Sequence, residues 1–297
     1  MSGTLWEAIA TRIAEATGRP FRPEGHDPVG GGCINSAVRL RGAGGDWFVK
    51  LNDAGRLAMF EAEAEGLAEI ARTGTVRVPE PVCWGVAEGQ AFLVLEHLPL
   101  GGGDARAEAL LGERLAALHA VTAPEGFGWR RDNTIGATPQ PNAWMRDWVA
   151  FWRERRLGFQ LALAERNGHG GRLTEKGARL LEALPALLEG HRPMPSLLHG
   201  DLWGGNWSAL PDGEPVIYDP AVYYGDREAD LAMTELFGGF GPRFHEAYRA
   251  AWPLEPGYGV RKVLYNLYHV LNHLNLFGGG YRPQAERMIE RLLAEVR

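Results

Sequence analysis

The chain has only two cysteines in 297 residues, Cys33 and Cys83. That is too few for a disulfide framework and points to free thiols in a reducing compartment. It also lacks an excess of positive charge: 31 Lys+Arg stand against 37 Asp+Glu, a net charge of −6. This excludes the basic footprint of a nucleic-acid-binding protein. No apolar run approaches the length of about 18 residues that a membrane-spanning helix needs. The opening segment to Ala10 carries Glu7 but no Lys or Arg, so it lacks the basic region of a secretion signal. A cytoplasmic protein that does not use a membrane is therefore expected. No internal repeat is present, and nothing in the sequence fixes an oligomeric state.

What is present reads as an ordinary globular chain, with 45% hydrophobic and 23% charged residues. At this length a single core stops growing, which favours two lobes. Glycine is abundant, at 40 residues, and suggests many tight turns. The pattern Thr4-Leu5-Trp6-Glu7 with Leu5, Ile9 and Ile13 predicts a first helix that stops near Gly18 and Pro20. Strand signals then run from Asp27 to Leu51 around a glycine-rich turn. Asp53 is expected to cap a second helix running to about Arg72, with Phe60, Leu67 and Ile70 on its apolar face. Val82–Val86 and Ala91–Leu95 read as a hairpin around Glu88-Gly89, and 96–103 as a linker. Residues 1–97 would then form one lobe and 98–297 the other. The second lobe is expected to be mainly helical, with segments near 105–121, 142–167, 174–189, 227–237, 242–251, 258–276 and 282–296.

The residues that carry chemistry match the needs of phosphoryl transfer: a phosphate-covering loop, a lysine, metal-binding oxygens and a group that orients the attacking hydroxyl. Lys50 ends an apolar strand, and Glu63 shares the apolar face of the next helix, where a carboxylate needs a partner. Each could also be an ordinary surface-reaching side chain. His199-Gly200-Asp201 followed by Asn206 has the D-x-x-x-x-N spacing of a kinase catalytic loop. Asp219 follows at the end of a short strand, Val216–Asp219. Asn206 and Asp219 offer the hard oxygen ligands that Mg²⁺ prefers.

These segments resemble the fructosamine/ketosamine-3-kinase family, which belongs with the aminoglycoside-phosphotransferase and protein-kinase-like enzymes. The resemblance rests on GGGCIN (30–35), FVKLN (48–52), FEAE (60–63), LVLEHL (93–98), LLHGDLWGGN (197–206), DPAVYYGDREADLAM (219–233) and YHVLNHLNLFGGGY (268–281). It implies an α+β, two-lobed, protein-kinase-like fold, with a small antiparallel-sheet lobe and a larger, mainly helical lobe. It also implies an ATP- and Mg²⁺-dependent kinase acting at C3 of a ketosamine, fructosamine or ribulosamine, on a small molecule or a glycated amine or protein. A kinase for another small alcohol, such as an aminoglycoside, and a nucleotide-binding scaffold are the alternatives.

By the same resemblance, Lys50 and Glu63 would pair at the ATP phosphates beneath Gly30, Gly31 and Gly32, and the backbone at Glu96, His97 and Leu98 would meet adenine. Asp201 would accept the hydroxyl proton, Asn206 and Asp219 would hold magnesium, and Asp230 would brace the catalytic loop. Trp203, beside Asp201, is expected near the acceptor or in lobe packing. His269 and Asn272 are expected to wall the acceptor pocket or to pack within their helix. His269 and His273 have the spacing of a zinc pair but lack the Glu that would follow the first. Cys33, inside the glycine-rich loop, is a candidate for reversible oxidation, whereas Cys83 sits in an apolar strand and should be inert.

Overall fold

Apolar residues at three- and four-residue spacing place Leu5, Ile9 and Ile13 on the buried face of α1 (Gly3–Thr17). The computed structural model describes residues 3–30 and 34–296. The expectations for Gly31, Gly32 and Cys33 thus fall outside the described residues. Gly18 ends α1 with φ +67°, its amide donating to Ala14 O at 2.9 Å.

Five strands follow: β1 (Arg22–Val29), β2 (Ser36–Ala43), β3 (Gly45–Asp53), β4 (Pro81–Ala87) and β5 (Gln90–Glu96). They form an antiparallel sheet in the order β1-β2-β3-β5-β4. β1 starts at Arg22, ahead of the expected Asp27, pairing with Ala43. Its Pro23 and Pro28 are tolerated because β1 is an edge strand. The β4–β5 hairpin turns at Glu88 and Gly89, both with positive φ (+48° and +75°), which a two-residue hairpin loop requires.

Asp53 does not cap the next helix. It is still in strand register opposite Gln90, its side chain bonds no helical amide, and a 3₁₀ turn over 54–56 leads into α2 (Leu57–Thr73). Side-chain alternation along β3 then sets the two faces of the sheet. Val49 and Leu51 join Leu5, Trp6, Ile9 and Ile13 in one core, and Lys50 between them points to the opposite face.

The rest of the chain forms α3 (Ala105–His119), a small hairpin β6 (Asn133–Ile135) and β7 (Thr138–Gln140), α4 (Trp148–Phe151), a π-helical turn (Trp152–Leu157), α5 (Gly158–Arg166) and α6 (Arg172–Leu187). Then come β8 (Ser196–Leu198), β9 (Trp207–Ala209), β10 (Pro215–Ile217), β11 (Tyr223–Gly225), α7 (Glu228–Leu236), α8 (Pro242–Ala251), α9 (Tyr258–Phe277) and α10 (Arg282–Ala294). The helix expected from 142 begins only at Trp148. Its forerunner is held extended, with Trp129 N donating to Asn142 O and Met145 N to Phe127 O, and Asp147 then caps Ala150 N at 2.7 Å.

The backbone divides into two compact units, 1–107 with 205–220 and 108–204 with 221–297, in place of the expected division after residue 97. Packing inside the first unit explains the shift. Gly101 N donates to Ala209 O and Gly102 N to Ser208 Oγ, each at 3.0 Å, and Ile217 N donates to Arg77 O. A Cβ on Gly103 would lie 2.2 Å from Trp207 Cη2, so only glycine lets the chain pass that ring. The linker and the β9–β10 hairpin are therefore built into the first unit. The second unit is centred on α9, which is buried nearly all round. Among the described residues no helix is long and apolar enough to cross a membrane.

Candidate active site

In the first unit Lys50 Nζ donates to Glu63 Oε1 and to Asp219 Oδ1, both at 2.5 Å. The strand alternation of β3 aims Lys50 at α2, and the β9–β10 ladder brings up Asp219. That ladder pairs Trp207 with Ile217, and Tyr218 N donates to Asn206 O one step further on. Asn206 and Asp219 thus leave the same end of one hairpin. Burial opposes the charge on Lys50, but the Asp219 and Glu63 carboxylates outweigh it and raise the ammonium's pKa. Burial and the neighbouring Asp219 raise the pKa of Glu63, against the pull of Lys50.

Asp219 lies two residues beyond β10 and has φ +58°, one of two non-glycine residues with positive φ among those described. Such strain persists where surrounding contacts impose it, and it clusters at functional sites. Its side chain is 45% exposed. The amide of Asn206 and the carboxylate of Asp219 present hard oxygen donors without sulfur or imidazole. This donor set suits magnesium.

Gly30, the described member of the glycine-rich run, is exposed. The amide of Glu96 donates to Glu80 O at 2.9 Å, and its carboxylate pairs with Arg77. Burial, then Arg39, lowers the pKa of half-buried His97. Leu98 O accepts from Leu100 N. Cys83 is buried as expected, and burial pushes its thiol up to about 11.

In the second unit β8 pairs with β11 and runs straight into His199-Gly200-Asp201. Asp230, near the start of α7, accepts the amides of His199 (2.7 Å) and Gly200 (2.9 Å). His119 Nε2 lies 3.1 Å from the same carboxylate, and its Nδ1 lies 2.7 Å from Tyr248 Oη. Burial opposes the Asp230 charge, yet these bonds hold its pKa below the usual carboxylate range. His199 is buried, and its Nδ1 accepts the Asp201 amide at 3.2 Å, so this ring shapes the loop. Gly200 has φ +83°, and a Cβ there would lie 2.0 Å from Ala221 O.

Trp203 is 39% exposed beside Asp201, whose carbonyl accepts its amide. His269 and Asn272, expected at an acceptor wall or packed within their helix, are 5% and 3% exposed. Asn272 is tied to Gln160 and to Ile135 O, and burial lowers the pKa of His269 to about 3. They pack inside the unit. His273 Nδ1 meets His269 O at 2.8 Å, an ordinary i to i+4 helix contact.

The sequence reading missed a buried charge network. His191 Nε2 lies 2.6 Å from Asp226 Oδ2 and its Nδ1 lies 2.9 Å from Glu255 Oε2. Arg261 donates to both oxygens of Glu228 at 2.6 and 3.0 Å, and Tyr265 donates to Asp226. His191, Asp226 and Glu228 are close enough to share a metal ion, but protein groups already occupy these atoms. Only the DREAD segment hinted at this network, because its partners lie 33 to 39 residues away in sequence.

An antiparallel sheet carrying a lysine–glutamate pair, followed by a helical unit carrying the braced loop, is the architecture of a protein-kinase-like phosphotransferase. Comparison with known proteins narrows this class. The family model for fructosamine kinase matches residues 5–295, and the chain belongs to that family. A protein of Synechocystis named as a probable ketoamine kinase is 51% identical over 288 residues, covering 97% of each chain. The chloroplastic protein-ribulosamine 3-kinase of Oryza sativa subsp. indica is 44% identical over 280 residues, covering 93% of this chain and 81% of the other. A crystal structure from Haemophilus somnus 129PT, described as a candidate fructosamine-3-kinase, superposes with a TM-score of 0.90. It shares 31% identity and covers 98% of both chains.

Proposed function

We propose that this chain transfers the γ-phosphoryl group of ATP to the C3 hydroxyl of a ketosamine, a fructosamine or ribulosamine carried on a small amine or a protein amine. The observation that carries the reading is the Lys50 ammonium held by Glu63 and Asp219 in a chain that belongs to the fructosamine kinase family. Lys50, fixed by Glu63, would hold the nucleotide phosphates beneath the glycine-rich loop, and the backbone near His97 and Leu98 would contact adenine. Asn206 and Asp219 would hold magnesium, which offsets phosphate charge when bound. Asp201 would accept the proton as the hydroxyl oxygen bonds to phosphorus and ADP departs. Trp203, the exposed ring beside Asp201, would flank the sugar.

Phosphorylation at C3 would make the adduct labile and release the carrier amine, which amounts to deglycation. ATP use and the buried free thiol of Cys83 fit a reducing, cytoplasmic setting. The names of the relatives favour a ketosamine over an aminoglycoside.

The test is Mg²⁺-dependent ATP turnover against fructosamine- and ribulosamine-bearing amines and kanamycin-type amines, with products read by mass. Gain of one phosphate on the ketosamines alone is expected. Phosphate on the aminoglycosides alone would overturn the substrate assignment, and no turnover with any acceptor would overturn the kinase reading.

A further inference from the structure

Behind the catalytic loop, the second unit contains a polar cluster made almost wholly of uncharged amides. Gln140, Asn142 and Arg156 have no solvent exposure, and Asn133 is 9% exposed. Asn133 and Gln140 come from the β6–β7 hairpin, which pairs them directly, and Asn142 follows two residues later. Gln140 Nε2 and Asn142 Nδ2 both donate to Asn133 Oδ1, at 2.9 and 2.8 Å. Tyr268 Oη donates to Gln140 Oε1 at 2.7 Å, and Arg156 Nη2 donates to Asn142 Oδ1 at 2.8 Å. Two of the donors that leave the cluster reach the backbone just ahead of β11, the partner strand of β8: Asn133 Nδ2 to Val222 O (2.8 Å) and Gln140 Nε2 to Ala221 O (3.1 Å).

Ala221 is also the residue on which the catalytic loop rests. Its amide donates to His199 O at 2.8 Å, and its carbonyl fills the space that a Cβ on Gly200 would need. The loop is therefore held from two sides, by Asp230, which accepts the amides of His199 and Gly200, and by Ala221, whose amide donates to the His199 carbonyl. Burying three amides and a guanidinium is costly unless every bond is directed. Among the described residues no partner of Arg156 is a carboxylate. Its charge meets Pro141 O, Asn142 Oδ1 and the ring of Tyr223 at 4.0 Å. An apolar filling could support the same segment, but it would not fix the rotation of its peptide groups, whereas amide donors do.

We infer that Asn133, Gln140 and Asn142, anchored by Arg156 and Tyr268, form a positioning device for the catalytic loop, locking Ala221 and Val222 so that Asp201 keeps its place. The kinetic consequence rests on the role proposed above for Asp201, whereas the mechanical consequence does not.

The experiment compares Gln140→Met, which keeps length and removes the amide, with Tyr268→Phe, which removes only the hydroxyl that orients Gln140. The readouts are kcat with saturating ketosamine, nucleotide affinity, and amide hydrogen exchange of peptides covering 197–203. Gln140→Met should lower kcat roughly 10- to 100-fold, the usual effect of misplacing a reacting group. It should also leave nucleotide affinity unchanged and speed exchange at Gly200 and Asp201. Tyr268→Phe should move the same readouts the same way by less, and it carries the test if Gln140→Met does not fold. Exchange over 197–203 equal to wild type in the folded variants, or kcat and nucleotide affinity falling together, would overturn the inference. Exchange is measured without acceptor, so a wild type inactive on every ketosamine would defeat the functional reading and leave exchange to decide this one.

Discussion

Lys50 Nζ lies 2.5 Å from Asp219 Oδ1, a contact that spans 169 residues of sequence. Because Glu63 holds the same ammonium, removing Asp219 does not leave a bare buried cation. The Lys50 side chain is only 6% exposed and that of Asp219 45%, so the pair is half-buried. Asp219→Ala should therefore stay folded, with some loss of stability, yet lose Mg²⁺-dependent ATP binding. Calorimetric titration checks this, and unchanged Mg²⁺·ATP affinity would remove Asp219 from the metal site.

Asp201→Asn should keep nucleotide affinity and lower kcat by roughly 10²- to 10⁴-fold, the usual contribution of a positioned base. The Asp201 amide that bonds His199 Nδ1 is untouched by this change, so the loop should hold its shape. Single-turnover kinetics with separately measured ATP binding gives the answer. Near-normal turnover would assign the proton to another group.

Gly200 has φ +83° and has Ala221 O where a Cβ would stand. Gly200→Ala should then cost about 1–2 kcal/mol from backbone conformation alone, with more from the clash. The loop can relieve that clash only by shifting, so kcat should fall more steeply than stability. Thermal unfolding and turnover measured on the same preparation separate the two effects, and a variant matching wild type in both would refute the close packing.

His191 provides a pH signature. Burial lowers its pKa, but the bonds to Asp226 and Glu255 outweigh that, even with Arg261 nearby, and the native value is raised. A histidine with a raised native pKa stabilises fully below its unfolded value of about 6.5, and that stability drains away as pH rises through the native value. The stability gap between wild type and His191→Gln should be widest in mild acid and narrow toward alkaline pH. Melting temperatures across that range test this, and a gap that widens with pH would contradict the network.

Much of the site could be read from local patterns. The alternation in Phe48-Val49-Lys50-Leu51 places Lys50 across the strand from its apolar neighbours, and the helical spacing of Phe60, Glu63 and Leu67 places a carboxylate on the buried face of α2. His199-Gly200-Asp201 and Asn206 lie within one short loop. Local pattern misled where a partner outside the segment decides conformation. Asp53 resembles a cap but pairs with Gln90, and 142–147 resemble helix but are held by Phe127 and Trp129. For His269 and Asn272 the sequence left pocket wall and helix packing open, because spacing along a helix does not say which side is solvent.

Composition and local spacing specify the chemical inventory and the local elements: the lysine and glutamate, the loop Asp and Asn, the helix faces and the Glu88-Gly89 hairpin. These depend on periodicity and turn stereochemistry over a few residues, which the chain encodes directly. Long-range packing settles that Asp219 closes on Lys50, that 205–220 belong with the first sheet, and that Asp230 holds the amides of His199 and Gly200. It also decides that His191 meets Asp226 and that the Asn133 cluster ends on Ala221. These are contacts between segments up to 169 residues apart, fixed by burial and directed hydrogen bonds once the chain is packed, and no spacing in the sequence specifies them.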